Sequence, residues 1–316
     1  MRTLLAALLL ALSSTTLAQP STYPARPVRV IVPFAPGGPS DIVARLLGQH
    51  LSERLRQQFV VDNRTGAGGN VGVAVAAKSP PDGHTLLVTS TSVAVNATLT
   101  PDPGYDMRDL APVVNVAWSP NMIVTGTAGA KSLRELIDAS RAKGLVYGSP
   151  GTGTTPHLTA EYLFKNLAGL KVTHVPYKGA GPAVTAALAN EVPVLSVALP
   201  ATVPHLRSGK LRGLAVMSAE RLAAIPEVPT VQESGFPGFE DYTWIGVFAP
   251  AGTPPIVIAR LNGEANSFLG RPEIRERLEA LGFEPVGGTP ARFAAYVQEE
   301  VAKWAKVVKE TGAKVE

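Results

Sequence analysis

The 316-residue chain contains no cysteine. That excludes a disulfide scaffold, a thiolate nucleophile and any zinc site built on sulfur. Aromatic residues make up only 6% of it, and its 29 Lys and Arg are scattered without a dense basic run. A net charge of +4 spread in this way lacks the concentrated positive face that nucleic acid needs. Long apolar runs are missing too. The one sustained run, Leu4–Leu12, is nine residues, where a membrane-spanning helix needs roughly 20. It follows Met1–Arg2 and precedes the small-residue exit Thr16-Leu17-Ala18, which is the pattern of a secretory signal peptide over residues 1–18. A retained membrane anchor is the competing reading. Cleavage there leaves about 298 residues from Gln19, with charge +3, enough for two domains. An exported chain without cysteine suits a bacterial periplasm. Its mild positive charge suits small anions better than polyanions.

Enzyme signatures are equally scarce. No Gly-x-Ser-x-Gly elbow occurs. The five histidines, His50, His84, His157, His174 and His205, never fall at metal-ligand spacing. No glycine-rich turn carries the Lys of a phosphate-binding loop. Gly151-Thr152-Gly153 begins like a dinucleotide fingerprint, but Pro156 stands where the third Gly belongs; Gly66-Ala67-Gly68-Gly69 also misses that spacing, with Val71 there. The pair Glu299-Glu300 lies on the last amphipathic segment and reads as a solvated face. The expectation is therefore no catalytic residue, no metal and no cofactor.

What is present is alternation. Strand-like segments Val28–Pro33, Phe59–Asp62 and Thr85–Ser90 enclose helical patterns over Ser40 to about Gln57 and Asn70–Lys78. In the first helix Val43, Leu46, Leu47, Leu51 and Leu55 recur at three- and four-residue steps. Strand-like pieces follow at Val113–Val116 and Met122–Val124, then a helix over Ser132–Lys143 opened by a capping box of Ser132 and Glu135. A second series runs through strand Leu145–Ser149, helix Pro156–Leu167, strand Val172–Val175, helix Pro182–Ala189 and strand Val192–Val197. Helix His205–Ser208 and strands Leu211–Met217 and Tyr242–Ala249 come next, then helical segments Pro254–Leu269, Glu273–Leu281 and Pro290–Glu310. Such alternation predicts open, largely parallel α/β sheets. The simplest packing returns the tail to the first domain. The expected lobes are 19–124 plus 245–316 and 125–244, joined by two crossings around a cleft.

Two turns stand out. After the first strand comes Phe34-Ala35-Pro36-Gly37-Gly38-Pro39-Ser40-Asp41, with Ser40 read as the helix N-cap and Asp41 in the first turn. Free amides and the helix dipole favour an anion there, and the glycines admit close approach. The plain alternative is a tight, capped turn. Asp41 is also the one carboxylate near the turns suited to a general base. After strand Leu145–Ser149 comes Gly151-Thr152-Gly153-Thr154-Thr155-Pro156-His157, with Thr155 read as the cap and Pro156 as the first helical residue. His157 reads as a ligand donor or as a packed histidine; as a catalytic group it lacks a partner. A third turn places Tyr177 and Lys178 near the same end, with Tyr177 either reaching a ligand or packing within a lobe.

Eight passages in order carry a resemblance over about Tyr23 to Glu316. They are "PVRVIVPFAPGGPSDIVARLL", "VVDNRTGAGGNVG", "PDGHTLLV", "YGSPGTGTTPHL", "HVPYKG", "GKLRGLAV", "VPTVQESGFPGFE" and "FAPAGTPPIVIARLN". The chain resembles the Bug-type solute receptors of tripartite tricarboxylate transporters. The resemblance implies a periplasmic two-lobe solute-binding fold, a small carboxylate ligand, a monomer and no reaction. It implies partner permease subunits in the membrane; a membrane sensor is the alternative partner, and an exported enzyme using the same cleft is the remote one. The family's first grip maps onto Phe34, Ala35, Gly37, Gly38, Pro39, Ser40 and Asp41, and its second onto Gly151, Gly153, Thr154, Thr155 and His157. Ser92 and Asn96 match a further loop bordering the cleft. The sequence departs from the family at Pro39, commonly Ser or Thr, and at Ser196-Val197-Ala198, commonly Phe-Asp-Asn. Without the acidic side chain at Val197, the expected ligand is a non-amino organic or aromatic acid, bordered by Val197 and Ala198.

Overall fold

The computed structural model describes residues 23–311; the expected signal peptide and its cleavage point lie outside them. β1 (Val28–Val32), α1 (Pro39–Leu55), β2 (Phe59–Asn63), α2 (Asn70–Ala77), β3 (Thr85–Ser90) and α3 (Ser92–Leu99) form the first series. β1 is flanked in parallel by β2 and β3. Its side chains alternate between two cores. Val28, Val30 and Val32 meet Leu47 and Leu51 of α1, while Ile31 lies with Val73, Leu87 and Val95 on the other face. A strand buried on both faces needs this continuous apolar run.

β4 (Leu110–Gly126) joins the halves of the molecule. Two short strands were expected here; one 17-residue strand is observed, because a different set of partners covers each of its ends. Leu110–Pro120 pairs with β9 (Tyr242–Pro250). From Asn121 onward it pairs with β7 (Leu195–Ala198) and β8 (Leu211–Val216). The second half holds α4 (Leu133–Ser140), β5 (Leu145–Ser149), α5 (Thr155–Glu161), β6 (Val172–Pro176), α6 (Ala180–Leu188) and α7 (Val203–Arg207). α5 runs on as a wider π-helical stretch over Tyr162–Leu167. β5 pairs in parallel with β6 and β7, and the sheet is covered on its two faces by separate apolar cores.

The chain returns through β9, which inserts antiparallel between β3 and β4. α8 (Pro255–Leu269), α9 (Pro272–Ala280), β10 (Glu284–Pro285) and α10 (Pro290–Thr311) then pack on the first half. This is a two-lobe α/β fold with two crossings. Strand partners change at Pro120/Asn121, and the return passes at Asp241/Tyr242, where the Asn121 amide donates to the Asp241 carbonyl (3.1 Å). Glu300, expected on a solvated face, is buried, and its carboxylate accepts from the indole nitrogens of Trp244 and Trp304 (both 3.1 Å).

Candidate functional site

The carboxyl ends of β1, β3, β5 and β7 point at one cavity between the lobes. It has a volume of about 420 Å³, counting its solvent-open mouth. From the first lobe it is lined by Phe34, Gly38, Pro39, Ser40 and Ser90. The second lobe contributes Pro150, Thr154, Thr155 and Pro156, with Ala180 and Ala198 beside them. Thr243, on the return crossing, closes the floor. The lining holds no Lys, Arg, Asp or Glu.

The lobes touch around this cavity. The Ala35 amide donates to the Lys178 carbonyl across the cleft (2.9 Å). A Cβ on Gly181 would fall on the Pro36 carbonyl oxygen, and one on Gly68 would fall on that of Thr152. Glycine alone permits those approaches, so the conformation is closed.

The first helix is capped two residues earlier than the sequence suggests, and the second one residue earlier. Gly38 is the N-cap of α1, Pro39 its first residue, and Ser40 lies inside the first turn. Proline's fixed φ suits that position, where its missing N–H costs nothing. Thr154, not Thr155, caps α5, and its hydroxyl donates to the Gly151 carbonyl (2.7 Å) instead of accepting from the helix. The first-turn amides of Ser40 and Thr155 have no acceptor within their helices, and these two residues line the cavity from opposite lobes.

Other amides of the two turns are already used. Gly37 donates to Asp41 Oδ2 (3.1 Å), Gly151 to Ser149 Oγ (3.1 Å) and Gly153 to His157 Nδ1 (3.3 Å). Asp41 does not line the cavity. Its buried carboxylate takes Arg45 through both oxygens and Asn63 through one (2.9–3.0 Å). Burial opposes its ionisation, but the hydrogen bonds from Arg45, Asn63 and Gly37 outweigh that and hold the carboxyl below its usual range. Asp41 therefore fixes the shape of the first turn.

His157 also points away from the cavity. Its ring stacks on His174 with centroids 4.1 Å apart, and His174 stacks in turn on Tyr147 (5.1 Å). His174 Nε2 pairs with Ser149 Oγ (2.7 Å). Burial brings the His157 pKa down to about 4; burial and the neighbouring His157 bring that of His174 down to about 3. Both rings are neutral. His157 is the packed histidine of the two readings, and its acceptor nitrogen shapes the second turn.

The remaining expected residues divide. Ala198 lines the cavity, whereas Val197 is fully buried in the lobe core. Tyr177 borders a neighbouring groove with Lys178 and the Gly66–Gly69 turn. Ser92 Oγ lies 3.2 Å from Ser90 Oγ, behind the lining. Asn96 donates to the Gly68 carbonyl (3.3 Å) and abuts Gly153, so it supports the contact between lobes.

Sequence reading missed Ser90, Pro150, Pro156, Ala180 and Thr243 in the lining. It also missed a buried network under the floor. Asp241 Oδ2 accepts from Thr159 Oγ1 (2.6 Å) and from Asn121 Nδ2. Asn121 Nδ2 also donates to Thr155 Oγ1 (3.2 Å), and Thr243 Oγ1 donates to Asn121 Oδ1 (2.9 Å). The hydroxyls of Thr155 and Thr243 lie 2.6 Å apart. Burial pushes the Asp241 pKa up to about 6, against the pull of Thr159 and Asn121. The available signal was polar residues inside apolar runs, at Asn121 in "SPNMIV" and Asp241 and Thr243 in "EDYTWIG".

The family model for the tripartite tricarboxylate transporter family receptor matches residues 43–313. The chain belongs to that family. It is a family of periplasmic solute-binding receptors, not enzymes. Protein BugT of Bordetella pertussis is 41% identical over 300 residues, covering 93% of this chain and 92% of that one. The structure of Rpa4515 from R. palustris with adipate is 38% identical, covers 93% of this chain and all of that one, and superposes with a TM-score of 0.88. MatC from Rhodopseudomonas palustris with bound malate is 33% identical over 90% of this receptor and all of MatC, with a TM-score of 0.84. No helix among the described residues of this receptor is long and apolar enough to cross a membrane.

Proposed function

We propose that this receptor clamps a small non-amino carboxylate in the interlobe cavity and presents the closed form to a tripartite tricarboxylate-type permease. The observation carrying the reading is the pairing of two helix starts across a cavity without charged lining. The amides of Ser40 and Thr155 suit a carboxylate, with the dipoles of α1 and the helical run from Thr155 to Leu167 adding to them. Phe34, Gly38, Pro39, Thr154 and Ala198 complete the grip, while Ala35, Gly37, Asp41, Gly151, Gly153 and His157 hold the turns in shape. The absence of Asp and Glu from the lining argues against an ammonium group, which would be buried without a counter-charge. Adipate in Rpa4515 and malate in MatC support the ligand class. In this reading residues 23–120 with 242–311 and residues 121–241 move as two lobes in a monomer, and a ligand that binds the closed form better drives closure.

The test is thermal unfolding of the mature protein, stripped of carried-over ligand by unfolding and refolding, against dicarboxylates, citrate, aromatic acids, aspartate and glutamate. A ligand at about 100 times its Kd adds about 2.7 kcal/mol, a rise of several degrees in a chain of this size. A shift with aspartate or glutamate alone refutes the non-amino assignment. No shift with any acid refutes the carboxylate reading.

A further inference from the structure

We infer that the cavity floor accepts hydrogen bonds and cannot donate them, so that the receptor selects carboxylates carrying a hydroxyl group. The inference rests on the carboxylate reading above and extends it. Its basis is the direction of each hydrogen in the network beneath the floor. Three contacts fix how the Asn121 side-chain amide sits, and its nitrogen can only donate while its oxygen can only accept. Asn121 turns its amide nitrogen, not its oxygen, toward Asp241 Oδ2. The second hydrogen of that nitrogen goes to Thr155 Oγ1. The amide oxygen is left to accept, and it accepts from Thr243. A threonine hydroxyl has one hydrogen, and Thr243 has now used it. The 2.6 Å contact between the two hydroxyls must then carry the hydrogen of Thr155.

Both floor hydroxyls are thereby spent as donors. Thr155 and Thr243 line the cavity, yet each offers it only lone pairs. A carboxylate oxygen placed there would set acceptor against acceptor. The carboxylate belongs instead at the helix-start amides, and the floor is satisfied by an O–H on the ligand. A hydroxy acid meets both demands with one molecule. Asp241 touches no ligand in this scheme. It is a positioning residue, acting through the orientation of Asn121, and its place on the return crossing opposite Asn121 makes the floor a product of both crossings.

The experiment is calorimetric titration of the refolded mature protein with matched pairs that differ by one hydroxyl: malate and succinate, lactate and propionate, mandelate and phenylacetate. The expected result is at least tenfold tighter binding of the hydroxy member in every pair that binds. Thr243→Val should bring that ratio toward one and Thr243→Ser should restore it, whatever happens to overall affinity. Equal affinity within each pair in the unmodified protein overturns the inference while leaving the carboxylate reading intact, because an ordered water would then supply the hydrogen. Tighter binding of the member without the hydroxyl overturns it too. If no carboxylate of either kind binds, the reading of the cavity fails and the inference falls with it.

Discussion

Acidification should weaken this protein through His157, and the size of the effect can be worked out from its burial. The ring is buried, stacked on His174, and accepts the Gly153 amide at Nδ1. Its folded pKa is about 4, against about 6.5 in an unfolded chain. A depressed folded value means that the unfolded state takes up the proton first. The stabilisation is full above pH 6.5 and is lost progressively as the pH falls toward 4. Between pH 7 and pH 5 this one group removes about 2 kcal/mol. Asp241 works in the opposite sense. Its folded pKa of about 6 lies above the unfolded value, so between the same two pH values it adds about 1.4 kcal/mol. Wild-type stability alone would mix these two with His174, whose depressed pKa acts in the same sense as that of His157, and the informative comparison is with His157→Gln. Glutamine stays neutral and keeps an acceptor for the Gly153 amide. With a urea slope of about 3 kcal/mol/M, the drop in midpoint from pH 7 to pH 5 should be smaller in the variant by about 0.7 M. Far-ultraviolet circular dichroism is the right probe, since Trp118, Trp244 and Trp304 all pack in the lobe that does not contain His157. An equal drop in both proteins would refute the assignment of His157 as a buried neutral ring.

Two further outcomes follow from the same structure. Asp241→Asn should remove the acid-side gain, so that the variant lacks the stabilisation of about 1.4 kcal/mol between pH 7 and pH 5; an unchanged pH profile in urea titrations would count against a raised Asp241 pKa. Gly181→Ala places a Cβ on the Pro36 carbonyl, so it should obstruct closure, lowering carboxylate affinity at least tenfold while shifting the unfolding temperature of the ligand-free protein little; undiminished affinity by calorimetry would mean that closure does not bring these residues together.

Much of the lobe architecture was legible in the order of residues. Val28 to Val32 alternates between two cores and α1 repeats its apolar face, and these patterns follow from backbone geometry within a few residues. The turns after β1 and β5 were legible for the same local reason: glycines, a proline at a helix start, and hydroxyls before a helical run. Which amides of those turns remain free was not legible. Gly37 and Gly153 look like donors in the sequence, but their hydrogens go to Asp41 and His157. The continuity of β4 was hidden too, because each end is stabilised by strands far away in the chain. The floor network is the extreme case. Asn121 and Asp241 lie 120 positions apart, and each by itself is a polar residue at the edge of an apolar run. Local pattern determined that the chain would make two α/β series, each with a glycine-rich turn opening a helix. Only the packing of the two crossings against each other decided where the hydrogens under the cavity floor point, because a hydroxyl or an amide takes its direction from the neighbour it meets.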